Sequence, residues 1–425
     1  MKDSKPAFLG GPKSVKTVLN KFNTIGLEEE RAVKEVIKTG VLSQYLGCWD
    51  KDFFGGPKVK LFEKSCCKYF GVKYSIAVNS WTSGLICAVG ATGIEPGEEI
   101  IVSTWTMCAS ATSIIHWNAI PVFADIEPET FNICPKSVEK NITDKTRAIL
   151  AIDIFGHPCD YDSLNKICDK YGLFLITDSA QAPGAFYKSN FTSTKSHIGG
   201  FSLNYHKHIH TGEGGVLVTD NETLYKKMIL IRNHGEAVVG DMKFQDLTNI
   251  IGYNFRMGEI EAAIGIEQLK KLSGIIEKKQ IEAQMLTEGL QDINGLITPT
   301  VESNCSHSYY VYPLKIDKET VNVSRIKIID ALKKEGVLGL MNGYANIHRL
   351  PMFQKKIAYG SNGFPWSHLN SRKDINYKKG ICPVAEELHD KTFLGIEICL
   401  HEYDEKNIQE LIFAFKKVFN NLTKI

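Results

Sequence analysis

The chain has 425 residues and a formal net charge of +2, with 43% hydrophobic and 23% charged residues. This length exceeds the ~250–300 residues at which a single hydrophobic core stops growing, so two domains are expected. The nearly balanced charge excludes a protein that holds nucleic acid or an anionic membrane by its overall field, and the apolar residues found throughout exclude a disordered chain.

Three further features of the sequence indicate the location of the protein. No apolar run approaches the ~18 residues of a membrane span, and the first residues lack the apolar core of a signal peptide. The eleven cysteines are odd in number, scattered and without a CxxC pair, which favours reduced thiols that pack as small hydrophobic groups. We therefore expect a cytoplasmic protein without a membrane or nucleic-acid partner.

Strands and helices alternate in the first two thirds of the chain. The predicted strands are residues 74–79, 99–103, 120–125, 147–153 and 173–178. Helices are predicted over 82–93, 107–117, from 135 onward and over 161–171. Apolar strands separated by helices predict a mostly parallel sheet covered on both faces, which is an α/β fold. Such sheets bind ligands beyond the carboxyl ends of their strands, which here carry Ser80, Thr104, Asp125 and Asp178.

The pattern changes after Gly258. The charged and apolar residues that follow predict a long pair of connecting helices, then a strand over 308–316, a helix over 323–335 and a final helix over 405–421. We place a large cofactor-binding domain at residues 1–260 and a smaller α+β domain at 261–425, with residues 1–30 able to pack on the smaller domain. Residues 344–372 are rich in Gly, Pro, Asn and Ser, which predicts a loop that can cover a site.

Lys207 stands in the segment FSLNYHKHIHTGEGG, between a strand and a glycine-rich turn. Taken alone, a lysine here is more often a solvated loop residue. The close backbone packing implied by Gly212, Gly214 and Gly215 indicates instead a planar ligand held by the amine. A desolvated lysine has a lowered pKa and reacts readily with carbonyl groups.

Asp178 ends the apolar strand in LFLITDSAQAPGA. It could simply cap the next segment. However, a buried carboxylate near a carbonyl-binding lysine suits pyridoxal 5′-phosphate (PLP), whose ring nitrogen must stay protonated for the cofactor to withdraw electrons. Gln181 can bind the ring oxygen. Ser80, Trp81 and Thr82 in VNSWTSGL join a strand to a helix, where hydroxyl and backbone N–H groups can bind phosphate, although such residues also cap helices in general.

Together these segments resemble the DegT/DnrJ/EryC1/StrS family of PLP-dependent sugar aminotransferases, which have the aspartate-aminotransferase fold (fold type I). The resemblance extends over nearly the whole chain. It is carried by GGPKVKLFEKSCCKYFGVKYSIAVNS, GIEPGEEIIVS, NAIPVFADIEPETFNI, IFGHPCDYDSL, TDSAQAPGA, the FS…K…TGEGG segment, RNHG and GYNFRMGEIEAAIGIEQLKKL.

The resemblance implies roles for particular residues. Lys207 matches the lysine that binds PLP covalently, Asp178 the partner of the ring nitrogen, and Gln181 the glutamine beside the ring oxygen. The phosphate cradle is matched by Ser202, Trp81 and Thr82. Asn254 matches an asparagine that reaches the phosphate from the neighbouring subunit, which implies a homodimer with shared active sites.

The sequence also departs from the family pattern. Trp81 stands where glycine is usual, so a large ring must be accommodated. Met107 occupies the position that normally stacks an aromatic ring on the cofactor, and Trp105 is the alternative. Some relatives carry histidine at the lysine position and are sugar dehydratases, but the spacing from TGEGG places Lys207 there.

The implied reaction transfers an amino group from glutamate or glutamine to a keto sugar, commonly nucleotide-linked, for polysaccharide or glycoconjugate synthesis. A keto-cyclitol or a small phosphorylated ketone is an alternative acceptor. A PLP-binding regulator without turnover is a further alternative, although the intact Lys207, Asp178 and Gln181 argue against it.

Histidines are candidates for other roles. His206, His208 and His210 alternate along the chain, but no acidic or thiol ligands lie nearby in the sequence, so no metal site is predicted. His234, His307, His348 and Arg349 fit either the rim of an anionic-substrate site or ordinary packing.

Overall fold

The computed structural model describes residues 5–425, so Met1–Ser4 of the predicted N-terminal segment lie outside it. The strands are β1 (Tyr74–Val78), β2 (Glu99–Ser103), β3 (Ile120–Ala124), β4 (Thr146–Ile152), β5 (Phe174–Asp178), β6 (Phe186–Tyr187), β7 (Asn190–Phe191), β8 (Ile198–Ser202), β9 (Gly215–Thr219), β10 (Leu296–Ile297), β11 (Tyr312–Ile316), β12 (Leu340–Met341) and β13 (Phe393–Ile396).

The α-helices are α1 (Leu27–Thr39), α2 (Pro57–Phe70), α3 (Trp81–Ala91), α4 (Cys108–His116), α5 (Pro135–Lys140), α6 (Tyr161–Tyr171), α7 (Glu222–Arg232), α8 (Glu259–Leu290), α9 (Arg325–Lys334), α10 (Pro351–Lys355), α11 (Pro383–Glu387) and α12 (Glu405–Phe419).

A seven-stranded sheet in the order β1-β9-β8-β5-β4-β2-β3 forms the large core. The strands from β8 to β3 run parallel, and β9 is antiparallel to both of its neighbours. β2, β3, β8 and β9 are buried along their whole length, which explains why they are continuous apolar runs rather than alternating patterns. The predicted mostly parallel, doubly covered sheet is confirmed.

A second sheet, in the order β10-β11-β13-β12, is antiparallel throughout. Its apolar face packs with α9, α12 and the end of α8 in a separate hydrophobic cluster. Phe8, Val15 and Leu19 of the N-terminal segment pack against this cluster. The predicted boundary at residue 260 stays a prediction, since the chain crosses between the two cores more than once.

One such crossing is the segment between β12 and β13. Its side chains Ile347, Phe353, Trp366 and Tyr377 belong to the hydrophobic cluster of the large sheet rather than to that of the small one. The Tyr377 hydroxyl donates to the Pro121 carbonyl over 2.7 Å. The predicted loop therefore lies on the large sheet and includes the short helix α10.

The prediction of a helix pair after Gly258 is wrong, because α8 is one continuous helix of 32 residues. Gly274 lies inside this helix, and among residues 5–425 no atom lies within 4 Å of a Cβ added there. A glycine in a helix costs only about 1 kcal/mol relative to alanine. The buried residues along the rest of α8 outweigh that cost.

Candidate active site

A cavity of about 230 Å³ lies at the carboxyl ends of β5 and β8, where α3 begins. It is lined by Ser80, Trp81, Thr82, Leu85, Thr106, Met107, Ala109, Ile152, Asp178, Ala180, Gln181, Ser202, Asn204, His206, Lys207, Glu213 and Tyr344. A larger cavity of about 380 Å³ near His157 and Cys305 contains none of the predicted site residues. The convergence of chemical groups, rather than volume, identifies the candidate site.

Lys207 lies on the turn that follows β8, and its backbone N–H donates to the Asn204 carbonyl over 2.9 Å. The side chain is buried, and its Nζ lies 4.3 Å from the centroid of the Tyr310 ring. Burial lowers the pKa of Lys207 to about 8, although the negative charge of Asp178 partly opposes this shift. Roughly a tenth of this amine is therefore neutral, and nucleophilic, at pH 7, far more than of a lysine with the ordinary pKa.

Asp178 is held by three hydrogen bonds at the end of β5. Its Oδ1 accepts from the Trp81 indole Nε1–H over 2.7 Å and from the Ala180 N–H over 3.1 Å. Its Oδ2 accepts from the Ser110 hydroxyl over 2.9 Å. Burial raises the pKa of Asp178, while the hydrogen bonds from Trp81, Ala180 and Ser110 lower it. A carboxylate accepts about four hydrogen bonds, so it can still accept one from a ligand.

Trp81 is the first residue of α3, and its ring is 6% exposed. Space for the ring comes from glycines on the elements around it. An added Cβ would lie 2.4 Å from the indole at Gly200 and 2.8 Å from it at Gly84. The large ring predicted to need accommodation therefore lies between the sheet and α3.

Gln181 is oriented by contacts at both ends of its amide. Its Oε1 accepts from the Phe155 N–H over 2.7 Å, and its Nε2–H donates to the Tyr344 hydroxyl over 3.2 Å. Tyr344 comes from the segment predicted to cover a site. The amide thus forms part of the cavity wall with a fixed orientation.

The N-terminus of α3 opens toward the same cavity. Ser80 caps the helix, since its Oγ accepts from the Ser83 N–H over 3.1 Å. Thr82 is exposed, and the Ser202 hydroxyl accepts from the Asn204 N–H over 3.2 Å. Backbone N–H groups in the first turn of a helix lack partners within the helix, so this end of the cavity suits an anion.

The structure separates the two candidates for the stacking position. Met107 lines the cavity and is 54% exposed. Trp105 is fully buried among Phe131, Phe155 and Phe393 and does not line the cavity. Only Met107 is placed to contact a ligand in the cavity.

Asn254 is exposed and lies outside the cavity of its own chain. Its backbone carbonyl accepts a long hydrogen bond of 3.5 Å from the Asn79 side chain. Its predicted role at the site of a neighbouring subunit stays a prediction.

The structure does not place His234, His307, His348 or Arg349 at the rim of this cavity. His307 and His348 are buried, and none of the four rim candidates lines the cavity. His348 Nδ1 lies 2.5 Å from the Thr104 hydroxyl, and its Nε2 lies 3.0 Å from Glu386 Oε1. These hydrogen bonds give His348 a structural role. Within residues 5–425 no group of three or more His, Cys, Asp or Glu side chains is placed to hold a metal ion.

Sequence reasoning missed Ser110, Tyr310 and Tyr344. Ser110 binds Asp178 from α4, and Tyr310 packs on Lys207 from beyond α8. Ser110 and Tyr310 lie far in sequence from the side chains that they contact, so no local motif marks them. Only Tyr344 had a signal, because it begins the predicted covering segment.

Comparison with known proteins assigns this site to a family. Residues 28–388 match the DegT/DnrJ/EryC1/StrS aminotransferase family. The chain belongs to that family. The sequence-based assignment, fold type I and aminotransferase activity are thereby confirmed, and so is PLP, on which the family depends.

Individual relatives of this DegT-family chain are similar over most of their length. The spore coat polysaccharide biosynthesis protein SpsC of Bacillus subtilis is 34% identical over 80% of this chain and 86% of its own. GDP-perosamine synthase of Vibrio cholerae is 32% identical over 77% and 87%. The structure of an aminotransferase from Psychrobacter cryohalolentis is 27% identical, covers 96% of this chain and all of its own, and superposes with a TM-score of 0.80.

The cavity of this aminotransferase fits PLP by the chemistry of its donor set. An amine of lowered pKa can bind the aldehyde, and an oriented buried carboxylate has room to accept from the ring nitrogen. The N-terminus of α3 can bind the phosphate. No helix in the described part of the chain is long and apolar enough to cross a membrane.

Proposed function

We propose that this enzyme transfers an amino group from L-glutamate or L-glutamine to a keto sugar that is linked to a nucleotide. The observation that carries the proposal is that Lys207 and Asp178 line one cavity, with the N-terminus of α3 at its edge. The relatives support the acceptor class, because one is named for polysaccharide biosynthesis and another for a GDP-linked amino sugar. The pathway we propose is therefore polysaccharide or glycoconjugate biosynthesis.

Each side chain has a defined part in this proposal. When bound, PLP supplies an electron sink that stabilises negative charge at the Cα of the amino donor. Asp178 holds the proton on the ring nitrogen. Lys207 Nζ removes the proton from the donor Cα and returns it at C4′ of the cofactor as a general base and acid. Gln181 contacts the ring oxygen, and Thr82, Ser202 and the first turn of α3 bind the phosphate.

Lys207→Ala tests this assignment. The variant should purify without the absorbance of enzyme-bound cofactor and should transfer no amino group, because the amine both binds the cofactor and moves the proton. Absorbance spectra and a glutamate half-reaction measure the two effects. Lys195→Ala, on the surface beside a different cavity, is the control and should behave as the parent. Undiminished turnover in Lys207→Ala would refute the role of Lys207.

The acceptor class is tested by offering different ketones to the aminated form of the enzyme. Return of the original absorbance with nucleotide-linked keto sugars, and not with keto-cyclitols or small phosphorylated ketones, is the expected result. Return with a keto-cyclitol alone would favour that alternative. An enzyme whose spectrum no amino donor changes would favour a regulator without turnover.

We also propose a homodimer and a cytoplasmic location. Support for the dimer comes from Asn254, which is exposed and lies outside its own cavity although it matches a phosphate-binding residue of the family. The location is supported by the cysteines, all eleven of which are free, as expected in a reducing compartment.

A further inference from the structure

We propose that Trp81 is a positioning residue for Asp178, whose indole N–H fixes the carboxylate in the orientation that receives the PLP ring nitrogen. The inference rests on the proposed function for its cofactor. It assigns to Trp81 a role beyond lining the phosphate cradle, at a position where the sequence departs from the usual glycine.

The contact is short and direct. Trp81 Nε1 lies 2.7 Å from Asp178 Oδ1, and both side chains are almost fully buried. The backbone N–H of Ala180 binds the same oxygen over 3.1 Å. Two donors on Oδ1 and one from Ser110 on Oδ2 leave the free acceptor positions of the carboxylate mainly on Oδ2. The hydrogen bonds therefore determine where a ligand N–H can bind.

The surroundings of the indole keep it in this position. Gly200 pairs with Asp178 across neighbouring strands, and an added Cβ there would lie 2.4 Å from the ring. A Cβ added at Gly215 would lie 2.8 Å from the backbone of Trp81. Glycine at these places leaves room for the ring, whose Nε1–H donates to Asp178 at the end of β5.

Trp105 provides a comparison within the same chain. Its ring is fully buried, yet its Nε1–H has no hydrogen-bond partner among residues 5–425. Its role is therefore packing against aromatic neighbours. Substitution of Trp105 by phenylalanine removes an indole N–H without removing a hydrogen bond, which makes it a matched control for the same substitution at Trp81.

Loss of the Trp81 donor has a definite chemical consequence. A buried carboxylate with fewer donors favours its neutral, protonated form. A protonated Asp178 cannot pair with a protonated ring nitrogen, and a carboxyl group free to rotate meets the nitrogen less often. Both effects act through the ring nitrogen and leave contacts with the phosphate unchanged.

The test measures cofactor binding to the apo protein. PLP is compared with 1-deazapyridoxal phosphate, in which carbon replaces the ring nitrogen. In Trp81→Phe the dissociation constant for PLP should rise about tenfold, which corresponds to ~1.4 kcal/mol, whereas that for the deaza analogue should stay that of the parent. Trp105→Phe should change neither constant. Equal weakening for both cofactors would show that Trp81 acts by packing alone, and no weakening would also overturn the inference.

A second variant keeps the inference testable if Trp81→Phe fails to fold. Trp81→His places an N–H at the corresponding atom of a five-membered ring, so it should keep the preference of the parent for PLP over the deaza analogue. Loss of that preference would overturn the inference. The ketone screen is independent of these constants: an enzyme that aminates no nucleotide-linked sugar refutes the proposed acceptor and leaves the role of Trp81 intact.

Discussion

Lys207 lies where two cavities meet. Besides the candidate active site, Lys207 and His206 line a second cavity of about 180 Å³ bounded by Lys21 and Phe22 of the N-terminal segment and by Cys399. The amine is therefore enclosed by parts of the chain that are far apart in sequence. Its burial, and with it the lowered pKa, depends on those parts staying in place.

The lowered pKa of Lys207 predicts how its reactivity changes with pH. In the apo protein, the rate of labelling by an amine-selective acylating reagent should rise through a midpoint at about pH 8, instead of near the ordinary 10.5. Peptide mass spectrometry measures the rate. In Asp178→Asn the midpoint should fall further, because the negative charge of Asp178 raises the pKa of Lys207. A midpoint near 10.5 would show that the amine is solvated.

The lowered pKa of Lys207 also makes the stability of the apo protein depend on pH. Between about pH 8 and 10.5 the unfolded chain binds a proton at Lys207 that the folded apo chain does not. Stability therefore rises with pH across this window, and below pH 8 the buried lysine destabilises the apo protein.

At the residue scale, the sequence identified those side chains that flank strand ends. Asp178 is the last residue of an apolar strand, so its place at the carboxyl edge of a parallel sheet could be predicted. Lys207 was indicated by the glycine-rich turn that follows it, and Gln181 by the family resemblance. The donor from Ser110 could not be predicted, because it depends on how α4 packs against β5. The choice between Trp105 and Met107 likewise required the packing of Phe131, Phe155 and Phe393.

Among the elements, strands were predicted most closely. β2 has the predicted bounds, and β5 begins one residue later than predicted, because both are short apolar runs bounded by polar residues. The helix pair predicted after Gly258 is wrong, because the buried contacts that keep α8 continuous come from parts of the chain far away in sequence. Long-range packing of the segment between β12 and β13 had no local signal either.

A buried ion pair joins three elements of the smaller core. Glu335, just after α9, accepts from the Ser14 hydroxyl over 2.7 Å and from Lys417 Nζ of α12 over 3.0 Å. Its other oxygen accepts from the Ala7 N–H over 2.7 Å. This carboxylate is the common acceptor that fixes the N-terminal segment to α9 and α12.

Glu335→Ala should destabilise the protein by about 3–5 kcal/mol, because it leaves the buried ammonium of Lys417 without its partner. Urea unfolding followed by circular dichroism measures the loss. Glu139→Ala removes an exposed pair with Lys170 and should leave the unfolding midpoint nearly unchanged. Equal effects of the two substitutions would contradict the importance of the buried pair.

At the scale of the whole molecule, the proposed dimer can be tested by mixing inactive subunits. Lys207→Ala and Asn254→Ala homodimers should each have impaired sites. In a hybrid, one of the two sites combines the intact Lys207 of one subunit with the intact Asn254 of the other. Random mixing of equal amounts in a twofold-symmetric dimer should therefore restore about a quarter of the parent activity. Activity that does not recover after subunit exchange would show that the residues do not share a site.

The segment between β12 and β13 limits how this protein can be dissected. Ile347 donates to the Thr104 carbonyl, and Arg372 pairs with the buried Glu99. Ala385 donates to Asp125. Residues late in the chain therefore contact the region of β2 and β3, which lies much earlier in the sequence. A fragment that ends near residue 260 would keep the cofactor-binding side chains but lose the cover of β2 and β3. A cut near residue 260 would therefore break contacts on which both parts depend, and we expect neither part to fold as a self-contained unit.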